Sequence, residues 1–187
     1  MNVIVNTAAD TLKAGGAILY PTDTVWGLGC DATNIGAVSR IYRLKQRDEA
    51  KSMIILLAEA KDIFKYVANP HPDIVSIIKG FERPTTVIYE QALGLPDNLV
   101  NKDGSIAIRV TKDALCKRII KKLGAPLVST SANISGEPTP VSYKDISAAI
   151  KSSVDYIVPL RQDEEAGAQP SSIVKVGADG QVEVMRA

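Results

Sequence analysis

Between Ala17 and Leu123 the chain alternates short, all-apolar runs with longer stretches whose apolar residues recur at steps of three and four. That alternation restricts the fold more than any other feature. Short apolar runs read as buried strands, and the three-and-four spacing reads as helix. The strands expected on this basis are Ala17–Tyr20, Met53–Leu57, Thr85–Tyr89, Ser105–Val110, Pro126–Ser129 and Tyr156–Leu160. The expected helices are Ile35–Gln46, Ala60–Val67, Pro72–Lys79, Lys112–Leu123 and Tyr143–Lys151. Asn34 is placed to cap the first of these and Gly124 to end the fourth. At the N-terminus, Val3–Val5 reads as a short strand and Thr7–Ala14 as a helix stopped by Gly15 and Gly16. Ser172–Val176 and Val182–Met185 read as a hairpin around G-A-D-G. Alternating strands and helices imply crossover connections with some parallel pairing. The expectation is an α/β fold, one domain over residues 1–187, on a twisted mixed parallel/antiparallel sheet flanked by helices.

A length of 187 residues suits one domain. A chain of this size buries roughly 70% of its unfolded surface. With 22 basic against 21 acidic side chains, the whole surface is not a polyanion-binding one, and any cationic site has to be local. No apolar run approaches the roughly 18 residues of a membrane span, and the first residues do not read as a signal peptide. A soluble, cytoplasmic, monomeric protein is therefore expected. Cys30 and Cys116 make no disulfide framework and read as buried small hydrophobes. His71, the single histidine, lies between two prolines in a surface turn. One histidine and two cysteines leave no basis for a His/Cys zinc site or a Ser-His-Asp triad.

Three segments carry the polar chemistry. Arg40, Arg43 and Arg47 fall on one face if the second helix runs that far, and Lys45 and Lys51 add charge at its end. These groups either form a solvated basic face that favours the helix dipole or hold an anion at the junction of helix and strand. S-T-S-A-N-I-S-G, Ser129–Gly136, follows an apolar run, so it sits at a strand's C-terminal edge, where open α/β sheets bind ligands. Its hydroxyls, backbone N–H groups and Asn133 either satisfy one another or cradle phosphate oxygens. It is not a P-loop, because the chain has no G-x-x-x-x-G-K-S/T. P-T-D-T-V-W-G-L-G, from Pro21, places Thr22, Asp23 and Thr24 directly after a buried strand; Asp23 either holds a metal or an amine or caps a turn, and Trp26 either stacks on a base or, the better reading, plugs the core. The polar run from Arg161 to Pro170 is either a solvated loop or a flap near a site.

Taken together, Y-P-T-D-T-V-W-G-L-G-C-D-A, K-Q-R followed by K-S, and S-T-S-A-N-I-S-G resemble the YrdC-like family of threonylcarbamoyl-AMP synthases, in its short single-domain form. S-I-A-I-R-V-T, R-P-T-T-V-I, P-S-S-I-V and V-E-V-M-R extend the resemblance from about Ala17 to Arg186. It implies an open basic cavity. It also implies synthesis of L-threonylcarbamoyl-AMP from L-threonine, bicarbonate and ATP, with release of pyrophosphate, for the t6A modification of tRNA at position 37. The family's catalytic tetrad maps onto Lys45, Arg47, Ser131 and Asn133, which together with Thr139 and Arg186 would hold the nucleotide. Thr22, Arg109, Ser129 and Ser172 map onto positions lining the threonine and nucleotide cavity. Mg²⁺ would accompany ATP, through ligands the sequence does not identify. tRNA and the downstream tRNA threonylcarbamoyltransferase are the further partners implied.

The chain departs from the family pattern at several positions. Asp48 stands where a proline usually follows K-x-R, Glu82-Arg83-Pro84 replaces Pro-Gly-Pro, and Ser171-Ser172-Ile173 replaces Ser-Thr-Val. Two other readings share the resemblance. One is a related carbamoyl-adenylate-forming enzyme like the domain of hydrogenase-maturation carbamoyltransferases. The other is a non-catalytic RNA-binding module using the same concave surface.

Overall fold

The computed structural model describes residues 1–48, 53–164 and 170–187. In chain order these form α1 (Asn2–Lys13), β1 (Ile18–Tyr20), β2 (Gly27–Gly29), α2 (Ile35–Lys45), β3 (Ile54–Leu57) and a 3₁₀ turn at Ala60–Lys65. They continue through α3 (Ile74–Lys79), β4 (Thr85–Tyr89), β5 (Ile106–Val110), α4 (Ala114–Leu123) and β6 (Leu127–Ser131). The last elements are α5 (Ala148–Ser153), β7 (Tyr156–Ile157), β8 (Ser172–Val176) and β9 (Val182–Arg186). The strands form one mixed sheet in the order β7-β1-β2-β6-β3-β5-β4-β8-β9. The pairs β1/β7, β3/β5 and β4/β8 are parallel, and the other neighbours are antiparallel.

Three sequence expectations change here. Val3–Val5 is not a strand but the first turns of α1, because Val5, Ala8, Ala9 and Leu12 make a buried stripe that outweighs the local β-branched run. Gly27–Gly29, absent from the strands expected above, is a buried strand. A Cβ on Gly29 would come within 2.6 Å of the Val128 carbonyl oxygen, and one on Gly27 within 3.2 Å of the Tyr20 ring. The glycines thus let β1, β2 and β6 close over the Tyr20 side chain. The helix expected over Tyr143–Lys151 begins only at Ala148, capped by Ser147. Ser142 instead donates its N–H and hydroxyl to Asp145 in a local turn.

Both faces of the sheet are packed. Val5, Ala8 and Leu12 of α1 meet Leu115, Ile119 and Leu123 of α4 over Ile18, Leu56 and Leu127. On the opposite face Val38, Ile41 and Tyr42 of α2 pack on Ile55, Leu57, Val87 and Ile108. Trp26 is buried with Leu19, Leu28 and Ile150. Cys30 and Cys116 are buried thiols whose pKa values burial drives upward. No helix among the described residues is long and apolar enough to cross a membrane.

Candidate functional site

The site begins where α2 stops. Asn34 caps its start by accepting from the Ala37 N–H at 3.0 Å. Its end is a left-handed reversal at Gln46 (φ 50°), with the Arg47 N–H donating to the Tyr42 carbonyl at 3.0 Å. The reversal separates the two basic residues of K-Q-R. Lys45 stays on the helix and points inward, while Arg47 leaves it. Arg47 therefore does not share a helical face with Arg40, which instead pairs with Asp155 at 2.5 Å. Lys51 and Ser52 of the same motif lie outside the described residues.

Lys45 is 1% exposed. Its Nζ donates to the carbonyl oxygens of Ser131 at 2.5 Å and Asn133 at 2.6 Å. Its own carbonyl accepts from the Ser135 N–H at 2.8 Å. Burial, and secondarily the Arg47 charge, lower its pKa to about 8. The basic junction and the hydroxyl-rich segment are therefore directly joined. That segment is not wholly a loop: Ser129, Thr130 and Ser131 belong to β6. Past the strand, the Asn133 side-chain amide donates to the carbonyls of Ile134 at 3.0 Å and Glu137 at 2.8 Å, which fixes the turn. Asn133 Oδ1 is buried without a hydrogen-bond partner among the described residues.

Strand register gathers the remaining groups. Directly paired residues present their side chains to the same face. The pairs Ile54–Ser129, Leu56–Arg109, Ile88–Ala107, Thr86–Ile173 and Ile173–Arg186 therefore form one continuous row of side chains. Helices α1 and α4 cover its β3–β6 end. Farther along lies a hollow of about 390 Å³ lined by Arg47, Arg109, Ser129, Ser131, Thr139 and Arg186 together with Thr24, Thr130 and Ser171. It carries three guanidinium groups and, among the described residues, no carboxylate in its lining.

The sequence-selected residues fall into two groups. Arg47, Arg109, Ser129, Ser131, Thr139 and Arg186 line the hollow. Lys45 and Asn133 stand behind its β6 wall, bonded to that wall's backbone or turn. Thr22 and Ser172 are absent from the lining. The Thr22 hydroxyl is used within its own turn, bonding to the Val25 carbonyl at 2.7 Å and the Thr24 hydroxyl at 2.9 Å, and Thr24 faces the hollow instead. Ser172 pairs with Thr85, one residue out of step with the row, so it faces the other side. Ser171 takes the place nearest the hollow, bonded to Thr86 at 2.9 Å, and its carbonyl accepts from Arg186 at 2.8 Å.

Arg109 is the most constrained of the cations. It is 2% exposed, with one terminal nitrogen 3.3 Å from Asp23 Oδ1 and the other donating to Thr24 Oγ1 at 3.2 Å. Its Nε has no partner among the described residues. Buried polar atoms are nearly always paired, so the orphan donor on Arg109 is one a ligand can satisfy. Among the described residues no group of three or more His, Cys, Asp or Glu side chains is placed to hold a metal ion.

Fold and site together define an α/β protein with a cationic, hydroxyl-lined hollow on one face of a mixed sheet. The chain belongs to the Sua5/YciO/YrdC family, whose model, described as telomere recombination, matches residues 10–187. The threonylcarbamoyl-AMP synthase of Pseudoalteromonas translucida is 36% identical over 171 residues, 89% of this chain and 89% of that protein. That of Stenotrophomonas maltophilia is 34% identical over 173 residues, 90% and 91% of the two chains. Among solved structures, E. coli YciO superposes with a TM-score of 0.83 at 23% identity, covering 100% of this chain and 89% of that one. P. abyssi Sua5, solved in complex with L-threonine, gives 0.79 at 24% identity over 91% of this chain. The chain spans about half of that Sua5, 50% of its length. These two structures establish the likeness of fold.

Proposed function

We propose that the protein makes L-threonylcarbamoyl-AMP from L-threonine, bicarbonate and ATP, releasing pyrophosphate, and so supplies the t6A modification of tRNA. The observation that carries this reading is the hollow itself, with Arg47, Arg109 and Arg186 around a wall of hydroxyls and no described carboxylate in the lining. Such a cavity suits a polyanion and a small carboxylate held side by side.

The chemistry calls for no protein nucleophile. The threonine amine combines with bicarbonate, losing water, to give a carbamate. A carbamate oxygen then attacks the α-phosphorus of ATP, and the bond to the bridging oxygen breaks to expel pyrophosphate. Two anions must approach each other, so the protein's part is to cancel charge and align the reactants. Arg47 and Arg186 would grip phosphate oxygens, each as a planar fork. Arg109, fixed by Asp23 and Thr24, would use its open edge on the threonine carboxylate. Ser129, Ser131 and Thr139 would donate to phosphate or carbamate oxygens. Lys45 would act behind the wall, holding the β6 end in shape and adding positive potential. Among the described residues the lining offers Mg²⁺ no carboxylate, so the ion would enter with ATP and supply further charge neutralisation. tRNA and the transferase that consumes the product would be its further partners, in the cytoplasm.

The test is pyrophosphate release measured with each substrate omitted in turn. Release requiring threonine, bicarbonate and ATP together, and falling at least tenfold in a folded Arg47→Ala variant, supports the reading. ATP turnover indifferent to threonine, or RNA binding with no turnover, overturns it.

A further inference from the structure

Arg161 lies outside the hollow's lining, and no step described above uses it, yet it is among the most heavily engaged side chains near the site. Its guanidinium donates to the Thr22 carbonyl at 3.3 Å, the Pro21 carbonyl at 3.4 Å and Asp113 Oδ2 at 2.8 Å. Asp113 is itself immobilised. Its other oxygen caps α4 by accepting from the Cys116 N–H at 2.8 Å, and its own N–H donates to Thr111 Oγ1 at 3.1 Å. Thr111 Oγ1 in turn donates to Asp23 Oδ2 at 3.4 Å. A closed ring results, from Asp23 through Thr111, Asp113 and Arg161 back to the backbone of the same turn. That turn supplies Thr24 and Val25 to the hollow and Asp23 to Arg109. Arg161 also holds a left-handed backbone, φ 56°, one of two such non-glycine residues among those described. A non-glycine residue keeps that conformation where its surroundings hold it there.

From this ring we infer that Arg161 is a positioning residue for threonine. It clamps the carbonyls of Pro21 and Thr22 to the start of α4 and so sets where Thr24 and the Asp23–Arg109 pair stand in the cavity wall. The inference rests on the proposed synthase reading and adds to it a determinant outside the cavity. A guanidinium suits the task because one planar group reaches three acceptors, whereas a lysine ammonium would be a point charge on a flexible stem. The position is 28% exposed at the side chain, so a small cation from solvent can reach it.

The experiment compares wild type with Arg161→Gly, which removes the side chain and tolerates the left-handed backbone, and with Arg161→Lys. Three readouts are taken. Steady-state pyrophosphate release gives KM for threonine, KM for ATP and kcat. Amide hydrogen exchange reports the protection of residues 22–25. Guanidinium chloride at low millimolar concentration tests chemical rescue. The expected result for Arg161→Gly is a threonine KM raised at least tenfold, with KM for ATP within about twofold and kcat less affected than KM. Exchange should quicken in the 22–25 segment, and added guanidinium, but not sodium at equal ionic strength, should restore part of the threonine affinity. Arg161→Lys should fall between the two. Unchanged exchange at 22–25 overturns the inference whether or not the wild type turns over threonine. Uniform loss in KM and kcat without rescue overturns it too, since that pattern marks a structural role alone. Failure of the synthase reading shows separately, as absence of threonine-dependent release in the wild type.

Discussion

The Nζ of Lys45 lies 2.5 Å from the carbonyl oxygen of Ser131, and the same ammonium reaches the Asn133 carbonyl at 2.6 Å. One cation thus ties the last turn of α2 to the end of β6 and to the turn beyond it. Lys45→Met keeps the stem and removes the donors, leaving two carbonyls without their partner. Each unsatisfied acceptor costs about 1–3 kcal/mol, offset in part because a charge no longer has to be buried. The net loss expected in urea denaturation is about 1–3 kcal/mol. ATP binding should weaken at least tenfold. A stable, fully binding Lys45→Met protein would show that the ammonium is not what shapes the β6 wall.

The same side chain sets a pH dependence with two opposite signs. Folding lowers the Lys45 pKa from 10.5 to about 8. The cost of burying its charge is therefore fully present below pH 8, and it is relieved as pH rises from about 8 towards 10.5, where the unfolded chain still holds the proton and the folded one has lost it. On this group's account stability rises across that window. Anion binding goes the other way, because the cation behind the hollow is lost, with up to about a tenfold fall in ATP affinity for each unit above pH 8. Calorimetric titration of ATP without threonine, between pH 7 and pH 9.5, separates this from ionisation of the substrate amine. Lys45→Met should flatten the dependence, and an equally steep profile in that variant would assign it to another group.

Asp23 and Arg109 form a pair whose Arg109 side chain is only 3% exposed. Removing one partner of a buried ion pair costs about 3–5 kcal/mol because the other charge stays buried. Asp23→Ala is expected near the lower end of that range, its carboxylate being 17% exposed. Replacing both, as Asp23→Leu with Arg109→Met, should recover most of the stability while abolishing threonine-dependent turnover. That split between folding and function is the measurable mark of a pair kept for its charge. A double variant as unstable as Asp23→Ala would instead make the pair a structural requirement.

Much of this arrangement was legible in the chain, and what was not has a common cause. Apolar runs placed β3, β4 and β5, since strands buried on both faces leave an uninterrupted local pattern. K-Q-R and S-T-S-A-N marked the two halves of the site by residue type. The departure of Arg47 from the helix depends on Gln46 adopting φ 50°, which no residue preference at that position announces. The row reaching from Ser129 to Arg186 is a matter of register across β6, β3, β5, β4, β8 and β9. A shift of one residue exchanges Ser171 for Ser172, and sequence spacing carries no record of it. Arg161 was read only as the start of a polar loop from Arg161 to Pro170, because its partners Pro21, Thr22 and Asp113 are remote in the chain. Residues 165–169 of that loop lie outside the described residues.

Glycine at position 29 is a requirement of packing, and glycine at position 36 is not, so the same substitution should have opposite signs. In Gly29→Ala the new methyl meets the Val128 carbonyl oxygen at 2.6 Å and the Tyr20 ring at 2.8 Å. Both neighbours are fixed in the sheet, so β2 must move away from β1 and β6, at a cost of about 1–3 kcal/mol. Because Gly27 pairs with Ser131 in the same ladder, the displacement reaches the wall of the hollow and should lower ATP affinity as well. Gly36 stands in the first turn of α2, where an added methyl meets nothing nearer than Asn34 Oδ1 at 3.4 Å. There alanine removes unfolded-state freedom and should stabilise by about 0.4–1 kcal/mol. Thermal or urea denaturation of the two variants measures both signs at once. A Gly29→Ala protein as stable as wild type would mean that β2 does not press against Tyr20 and Val128.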